Sequence, residues 1–128
     1  MKEVTAAIIH NGDKILICQR ASDDECGMLW EFPGGKREGN ETLEECITRE
    51  INEELELDIK VLEVFTRSTY NFNGNEIFFT VYNAEITSGE LRLNVHNAAR
   101  WVTPEEFSGY EFMPADIKFV EKLVEDRK

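Results

Sequence analysis

The fold is decided by residues 33–57, which read PGGKREGNETLEECITREINEELEL. A glycine turn at the start of this stretch leads into a segment rich in carboxylates. Thr42 and Glu45 have the spacing of a capping box, in which each side chain accepts a hydrogen bond from a backbone amide that the first helical turn leaves unpaired. The stretch therefore predicts a helix that begins at Thr42 and runs to about Leu55.

The predicted helix has an apolar stripe with acidic residues beside it. At about 100° per residue the stripe holds four aliphatic side chains, namely Leu43, Ile47, Ile51 and Leu55. Glu50, Glu53 and Glu54 fall on the arc next to this stripe, at the edge of the core. A run of glutamates often marks only a solvated helix face, so charge alone leaves that interpretation open.

A metal site is the alternative to a solvated face. Glu50 and Glu54 form a like-charge pair at i,i+4, and no Lys or Arg follows four residues after Glu50, Glu53 or Glu54 to offset their charge. Clustered carboxylate oxygens are the ligands that Mg²⁺ or Mn²⁺ prefers. The sequence therefore predicts a divalent cation beside this helix, with Mg²⁺ as the first choice and Mn²⁺ as the second.

The same stretch resembles the Nudix box, G-x5-E-x7-R-E-U-x-E-E-x-G-U, in which U is a bulky aliphatic residue. Gly35, Glu41 and residues 49–57 supply its fixed positions, except that Glu56 stands where the box has its late glycine. Residues 30–36, which read WEFPGGK, resemble the MutT-like branch, whose members cleave nucleoside triphosphates. The resemblance implies a Nudix-type α/β/α sandwich with a mixed β-sheet.

The resemblance also implies roles for residues of the box. Arg49, Glu50 and Glu53 would be the catalytic residues, with Arg49 orienting the carboxylates by ion pairing. We favour Glu50 as the group that takes the proton, with Glu53 as the alternative. The metal ligands would be the carbonyl of Gly34 and the carboxylates of Glu50, Glu53 and Glu54.

Candidate substrate contacts lie outside the helix. Arg20 and Lys36 could meet phosphate, although each could equally be a solvated side chain. Asp116 resembles the position from which MutT-like enzymes read the base, while its place after a proline at a helix start equally suits an N-cap. Phe72 is a candidate to stack on that base. The predicted substrate contacts are Arg20, Phe32, Lys36, Phe72 and Asp116.

Two departures from the family pattern lead to further expectations. Glu56 at a left-handed helix cap would cost roughly 1 kcal/mol, so we expect a reshaped helix end with the chemistry intact. MutT-like relatives often carry a metal-binding glutamate six residues before the tryptophan that corresponds to Trp101, and here that position is Val95. His96 could substitute, although a lone loop histidine is commonly solvated.

The order of the remaining elements fits a mixed sheet with a helix on each face. An Asn-Gly turn predicts a hairpin of the first two strands, and the final helix should point Ile117, Val120, Leu123 and Val124 inward. Residues 21–28 and 71–75 read as loops, and a helix should start at 103–106. The predicted strands are 4–9, 14–19, 30–32, 59–70, 77–86, 91–95 and 99–102, and the final helix is 114–126.

Composition limits the function. The chain has 128 residues and a formal net charge of −12, which fits one domain, 1–128, and argues against a nucleic-acid polymer as partner. Its three cysteines form no Cys-x-x-Cys pair, which favours a reducing cytoplasm. No stretch approaches the roughly 20 apolar residues of a membrane span. Nothing in the sequence indicates an oligomeric state.

The leading hypothesis is a metal-dependent nucleoside triphosphate pyrophosphohydrolase. It would release nucleoside monophosphate and pyrophosphate from a modified or unwanted nucleotide, with oxidised guanine or cytidine as the base. A second hypothesis keeps the Nudix fold and metal but takes a nucleotide sugar, ADP-ribose or a dinucleoside polyphosphate. A third is a noncatalytic nucleotide-binding module.

Overall fold

The computed structural model describes residues 2–23 and 25–127. In this part of the chain it has seven strands, two α-helices and two 3-10 helices. The strands are β1 (Lys2–Asn11), β2 (Lys14–Arg20), β3 (Trp30–Glu31), β4 (Gly34–Lys36), β5 (Leu57–Phe72), β6 (Asn75–Gly89) and β7 (His96–Val102). The helices are α1 (Leu43–Leu55) and α2 (Ile117–Asp126), with 3-10 helices at Pro104–Gly109 and Pro114–Asp116.

The sheet is mixed, and it branches at its central strand, β1. One edge of β1 pairs in parallel with β6, which in turn pairs antiparallel with β5. The other edge pairs with β4 near the start of β1 and with β2 only next to their shared turn. Beyond that turn, β2 pairs with β3 and β7 instead. The predicted hairpin of the first two strands is therefore confirmed only at its turn, and a cleft opens where the two branches separate.

Alternating side chains of the central strand build a core on each face of the sheet. In β1, Ala6 and Ile8 belong to the core under α2, whereas Ala7 and Ile9 belong to the core under α1. This division follows from the strand period of two, which points successive side chains to opposite faces. The predicted α/β/α sandwich with a mixed sheet is confirmed.

Helix α1 has a capping box at its start, as predicted. Thr42 Oγ1 accepts a hydrogen bond from the Glu45 amide at 3.1 Å, and Glu45 Oε1 accepts one from the Thr42 amide at 2.7 Å. At the other end Glu56 is left-handed, with φ 57° and ψ 34°, and its amide donates to the Asn52 carbonyl at 2.9 Å. The expected reshaping of this end is wrong, because the left-handed cap forms without glycine.

Replacing Glu56 by glycine should stabilise the protein, because glycine avoids the Cβ penalty of roughly 1 kcal/mol in this conformation. The midpoint of thermal unfolding should rise by about 4 °C with little change in turnover. Glu56→Ala is the control, since it removes the charge beside the negative end of the helix dipole but keeps the conformational cost. A fall in the midpoint of Glu56→Gly would contradict the prediction.

The predicted strand at 91–95 is wrong. Its amides bond to the end of α1 instead of a neighbouring strand: Arg92 N donates to Leu55 O at 2.9 Å, and Asn94 N donates to Glu54 O at 3.0 Å. Residues 91–95 have the alternating apolar pattern of a strand but no sheet partner, so this segment is irregular. The other long strands are confirmed and are longer than predicted, with Asn73 and Gly74 at positive φ in the β5–β6 turn.

The C-terminal helix is confirmed, but its buried face differs in one residue. Ile117, predicted inward, is 40% exposed, whereas Phe119 is fully buried and packs edge-to-face on Phe79. The helix start predicted at 103–106 is present as a 3-10 helix. Residues 21–28 are irregular as expected, with Asp24 outside the described residues. No helix in the described ranges is long and apolar enough to cross a membrane.

Candidate active site

Arg49 is the centre of an ion-pair network. Its Nε and Nη2 donate to the two carboxylate oxygens of Glu41 at 3.0 and 2.8 Å, and Nη2 also donates to the Lys36 carbonyl at 3.0 Å. Its Nη1 donates to Glu50 Oε1 and Glu53 Oε1, each at 3.0 Å. These bonds hold the pKa of Glu41 at about 2. The expectation that the three helix carboxylates lack a cationic partner is therefore wrong for Glu50 and Glu53.

Glu54 is the acidic residue of the box whose charge is least compensated. Its Oε1 is buried and has no hydrogen-bond partner among the described residues. Burial raises the pKa of Glu54 well above its ordinary range, contact with the Glu50 carboxyl raises it further, and the Gly34 amide lowers it. Two neighbouring carboxyl groups in a desolvated site resist double ionisation. A cation at Glu54 would remove this conflict.

Gly34 and Gly35 bring β4 close to these carboxylates. The predicted glycine turn is a short strand, and neither residue has a positive φ. A Cβ at Gly35 would collide with the carboxylate of Glu50, and one at Gly34 would collide with the backbone of Thr5. Thr5 Oγ1 also donates to the Gly35 carbonyl at 3.2 Å. The glycines are therefore needed for close approach rather than for a special turn.

The cleft consists of two adjoining recesses. The first has a volume of about 430 Å³ and includes most of the predicted site residues in its lining, namely Arg20, Phe32, Gly34, Lys36, Glu54 and Asp116. The second, of about 370 Å³, is lined by Phe72 and again by Arg20 and Lys36. Glu50 and Glu53 line neither recess. The cleft thus runs from Glu54 of α1 to Phe72 at the end of β5.

Asp116 lies on the wall of the cleft, and its side chain is hydrogen-bonded to the backbone directly after β3. Its Oδ2 accepts a hydrogen bond from the Phe32 amide at 2.9 Å, and its side chain makes no capping bond to α2. Asp116 therefore stands at the N-cap position of α2 but does not cap the helix with its side chain. Burial raises the pKa of Asp116 to about 8. The Phe32 ring packs in the core, stacked on Phe112 at 5.7 Å between centroids.

Glu31 is a residue of the cleft that the sequence analysis did not single out. Its Oε1 accepts a hydrogen bond from Arg20 Nη1 at 3.0 Å, and its Oε2 lies 2.9 Å from His96 Nε2. Burial is the largest cause of the raised pKa of both Glu54 and Asp116, and the negative charge of Glu31 raises both pKa values further. Glu31 therefore lies between the two ends of the first recess.

The sequence did contain a signal for Glu31. Trp30 and Phe32 both belong to the core under α2, so the strand period turns the intervening Glu31 to the face of α1. The expectation of a solvated His96 is wrong, because its side chain is only 3% exposed and pairs with Glu31. Val95, at the position of the family's loop glutamate, lines the cleft.

The residues present fit a divalent cation. In the described part of the chain no three His, Cys, Asp or Glu side chains already converge as ligands, and Glu50 and Glu53 bond to Arg49 instead. The unpartnered buried oxygen of Glu54 nevertheless supplies a hard ligand, and Glu50 contacts the same carboxyl group. Binding would require Glu50 and Glu53 to turn from Arg49 toward the cation.

A mixed sheet between two helices, with an acidic helix at the edge of a cleft, places the chain among the α/β proteins. The NUDIX domain profile matches residues 1–123 of this chain. The chain is 36% identical over 124 residues to the CTP pyrophosphohydrolase of Escherichia coli K12, covering 97% of this chain and 92% of that protein. The chain therefore belongs to the Nudix family.

Two further comparisons agree with this assignment. The 8-oxo-dGTP diphosphatase of E. coli K12 is 29% identical over 122 residues, which cover 94% of this chain and 95% of that protein. The solution structure of the E. coli ORF135 protein has a TM-score of 0.88 at 34% identity and covers 99% of this chain and 91% of that chain. The predicted family and fold are confirmed. Nudix hydrolases generally need a divalent metal ion, whereas the roles of individual residues stay predictions.

Proposed function

We propose that this protein hydrolyses (deoxy)nucleoside triphosphates to nucleoside monophosphate and pyrophosphate, acting on modified or non-standard nucleotides of the oxidised-guanine or cytidine type. The observation that carries the proposal is the buried, unpartnered oxygen of Glu54 in a recess that also contains Asp116. Relatives named for CTP and for 8-oxo-dGTP support the same reaction class.

The metal end of the cleft would supply the chemistry. Triphosphate hydrolysis needs neutralised phosphate oxygens and an oriented water, and it needs no covalent bond to the protein. When bound, Mg²⁺ or Mn²⁺ supplies Lewis-acid charge and lowers the pKa of a water. Glu54, Glu50, Glu53 and the Gly34 carbonyl would hold the cation. Glu50 is the favoured general base, since it contacts Glu54 and is bonded to Arg49 through one oxygen, and Glu53 is the alternative.

Arg20 and Lys36 would bind the phosphate chain, because both line the two recesses between Glu54 and Phe72. Arg20 is oriented by its ion pair with Glu31 at 3.0 Å, which lowers the entropy cost of meeting a phosphate. Phe72, which is 37% exposed in the second recess, would stack on the base.

Asp116 would read the base as a neutral acid. With a pKa of about 8 it keeps its proton at neutral pH, so the carboxyl group offers one donor and one acceptor. Cytosine presents the matching pair through N4–H and N3, and oxidised guanine does so through N7–H and O6. Unmodified guanine presents two acceptors, N7 and O6, and satisfies only the donor.

The partner would be a small nucleotide rather than a nucleic-acid polymer. A net charge of −12 repels a phosphate backbone, whereas a cation at Glu54 can screen a single triphosphate. We propose a cytoplasmic location, because the cysteines Cys18, Cys26 and Cys46 are free, as in a reducing compartment.

The test is kcat/KM with Mg²⁺ over a substrate panel. The panel contains CTP, dCTP, 8-oxo-dGTP and dGTP, together with ADP-ribose, a nucleotide sugar and a dinucleoside polyphosphate. We expect a cytidine or oxidised-guanine triphosphate to be the best substrate. A higher kcat/KM for ADP-ribose, the nucleotide sugar or the dinucleoside polyphosphate would contradict the proposed substrate class, and no turnover of any compound would indicate a noncatalytic module.

Asp116→Ala should erase the preference for 8-oxo-dGTP over dGTP. The ratio of their kcat/KM values should fall by a factor that corresponds to about 1–3 kcal/mol. Asp116→Asn is the matched control, because an amide keeps one donor and one acceptor but does not titrate. The wild-type kcat/KM for both substrates should fall as the pH rises through about 8, where the raised pKa lets Asp116 ionise and lose the donor that both bases use. Asp116→Asn should lack this component of the pH profile. An unchanged substrate ratio in Asp116→Ala would remove Asp116 from base recognition.

A further inference from the structure

Asn94 bonds twice to the turn of α1 that carries the predicted metal ligands. Its side-chain Nδ2 donates to the Glu53 carbonyl at 2.8 Å, and its backbone amide donates to the Glu54 carbonyl at 3.0 Å. Both carbonyls belong to the last helical turn, where no intrahelical amide can pair them. One exposed residue from the β6–β7 segment thus holds the backbone of two consecutive metal-site glutamates.

The other two terminal carbonyls of α1 are paired by backbone amides. The Asn52 carbonyl accepts from the Glu56 amide at 2.9 Å, and the Leu55 carbonyl accepts from the Arg92 amide at 2.9 Å. All four carbonyls at this helix end therefore have partners, although the usual glycine is absent and the last turn has no basic residue. Asn94 supplies the side-chain bond in this set.

The β6–β7 segment can reach the helix because of Gly89. This residue has a φ of 100°, and a Cβ there would lie 2.6 Å from the Glu56 carbonyl. Two residues beyond Asn94 the chain reaches His96, whose Nε2 is 2.9 Å from Glu31 in the cleft. The segment therefore links the end of α1 directly to the wall of the cleft.

We propose that Asn94 is a positioning residue that fixes the backbone of Glu53 and Glu54 so that their carboxylates can meet the cation. The inference rests on the proposed metal-dependent function. Asn94 acts through the two glutamates, and its amide donor is committed to the Glu53 carbonyl. Groups that orient metal ligands typically change metal affinity about 10- to 100-fold when removed.

The test measures Mn²⁺ binding to the nucleotide-free protein, with the electron paramagnetic resonance signal of free Mn²⁺ as the readout. Asn94→Ala should weaken Mn²⁺ binding about tenfold. Asn52→Ala is the matched control: its Nδ2 donates to Asp58 Oδ1 at 3.2 Å from the same helical turn, and this bond involves no metal-site residue. Asn52→Ala should bind Mn²⁺ like the wild type.

The thermal midpoint in EDTA separates positioning from stability. Asn94→Ala loses one exposed side-chain hydrogen bond, so its midpoint should fall by about 2–4 °C. Asn52→Ala should fall less, because alanine has the higher helix propensity. Equal Mn²⁺ affinities for Asn94→Ala and Asn52→Ala would overturn the role of Asn94 and leave the proposed function intact. Absence of Mn²⁺ binding by the wild type would overturn both.

Discussion

Replacing Glu54 by glutamine should lower kcat roughly 10²- to 10³-fold at saturating Mg²⁺. Glu54 has a buried carboxylate oxygen without a hydrogen-bond partner among the described residues, and glutamine has nearly the same shape but no charge to attract a cation. The metal-free variant should be more stable than the wild type by on the order of 1 kcal/mol, because a glutamine amide can donate to the neighbouring Glu50 carboxylate. Turnover and the thermal midpoint in EDTA are the two measurements.

The opposite signs of these two effects distinguish a metal ligand from a structural residue. Glu44→Gln is the matched control, because Glu44 is an exposed glutamate near the start of the same helix. This control should keep wild-type turnover and show no gain in stability. If Glu54→Gln lost turnover and also unfolded at a lower temperature in EDTA, the role of Glu54 would be structural.

Replacing Arg49 by lysine should lower kcat about 10- to 100-fold and reduce stability by about 2 kcal/mol. The guanidinium bonds to both oxygens of Glu41 and also reaches Glu50 and Glu53. A lysine ammonium keeps the charge but cannot form this planar fork. The kinetics should be measured at saturating Mg²⁺, and the stability by urea unfolding in EDTA.

Mn²⁺ affinity separates the role of Arg49 from that of Glu54. Arg49→Lys should bind Mn²⁺ within about tenfold of the wild type, since it keeps every carboxylate ligand, whereas Glu54→Gln should lose most binding. Arg127→Ala is the surface control, because Arg127 pairs with Glu105 at 3.5 Å outside the network, and such pairs contribute about 0–1 kcal/mol. Wild-type kcat in Arg49→Lys would contradict an orienting role.

Helix α1 could be predicted from the sequence because its signals are local. The Thr42–Glu45 capping box and the apolar stripe each depend on residues within a few turns. The family resemblance implied that Arg49 pairs with the carboxylates, whereas the charge argument missed this pairing because only cations placed four residues after each glutamate were considered. Arg49 lies four residues before Glu53 and bonds to it at 3.0 Å.

The parts that could not be predicted depend on contacts between distant segments. Residues 91–95 have the alternation of a strand, yet the amides of Arg92 and Asn94 bond to α1, about 40 residues earlier. The parallel pairing of β1 with β6 likewise joins residues far apart in the chain. Asp116 resembled either a cap or a base contact, and only the structure shows that its side chain bonds to Phe32 instead of capping α2.

We propose that α1 holds a cation with which the protein splits a triphosphate into monophosphate and pyrophosphate. Phosphorus NMR of CTP or 8-oxo-dGTP hydrolysis, with Mg²⁺ and then with excess EDTA, tests this claim most directly. We expect nucleoside monophosphate and pyrophosphate in equal amounts with Mg²⁺, and no hydrolysis in EDTA. Release of nucleoside diphosphate and phosphate, or undiminished hydrolysis in EDTA, would contradict it.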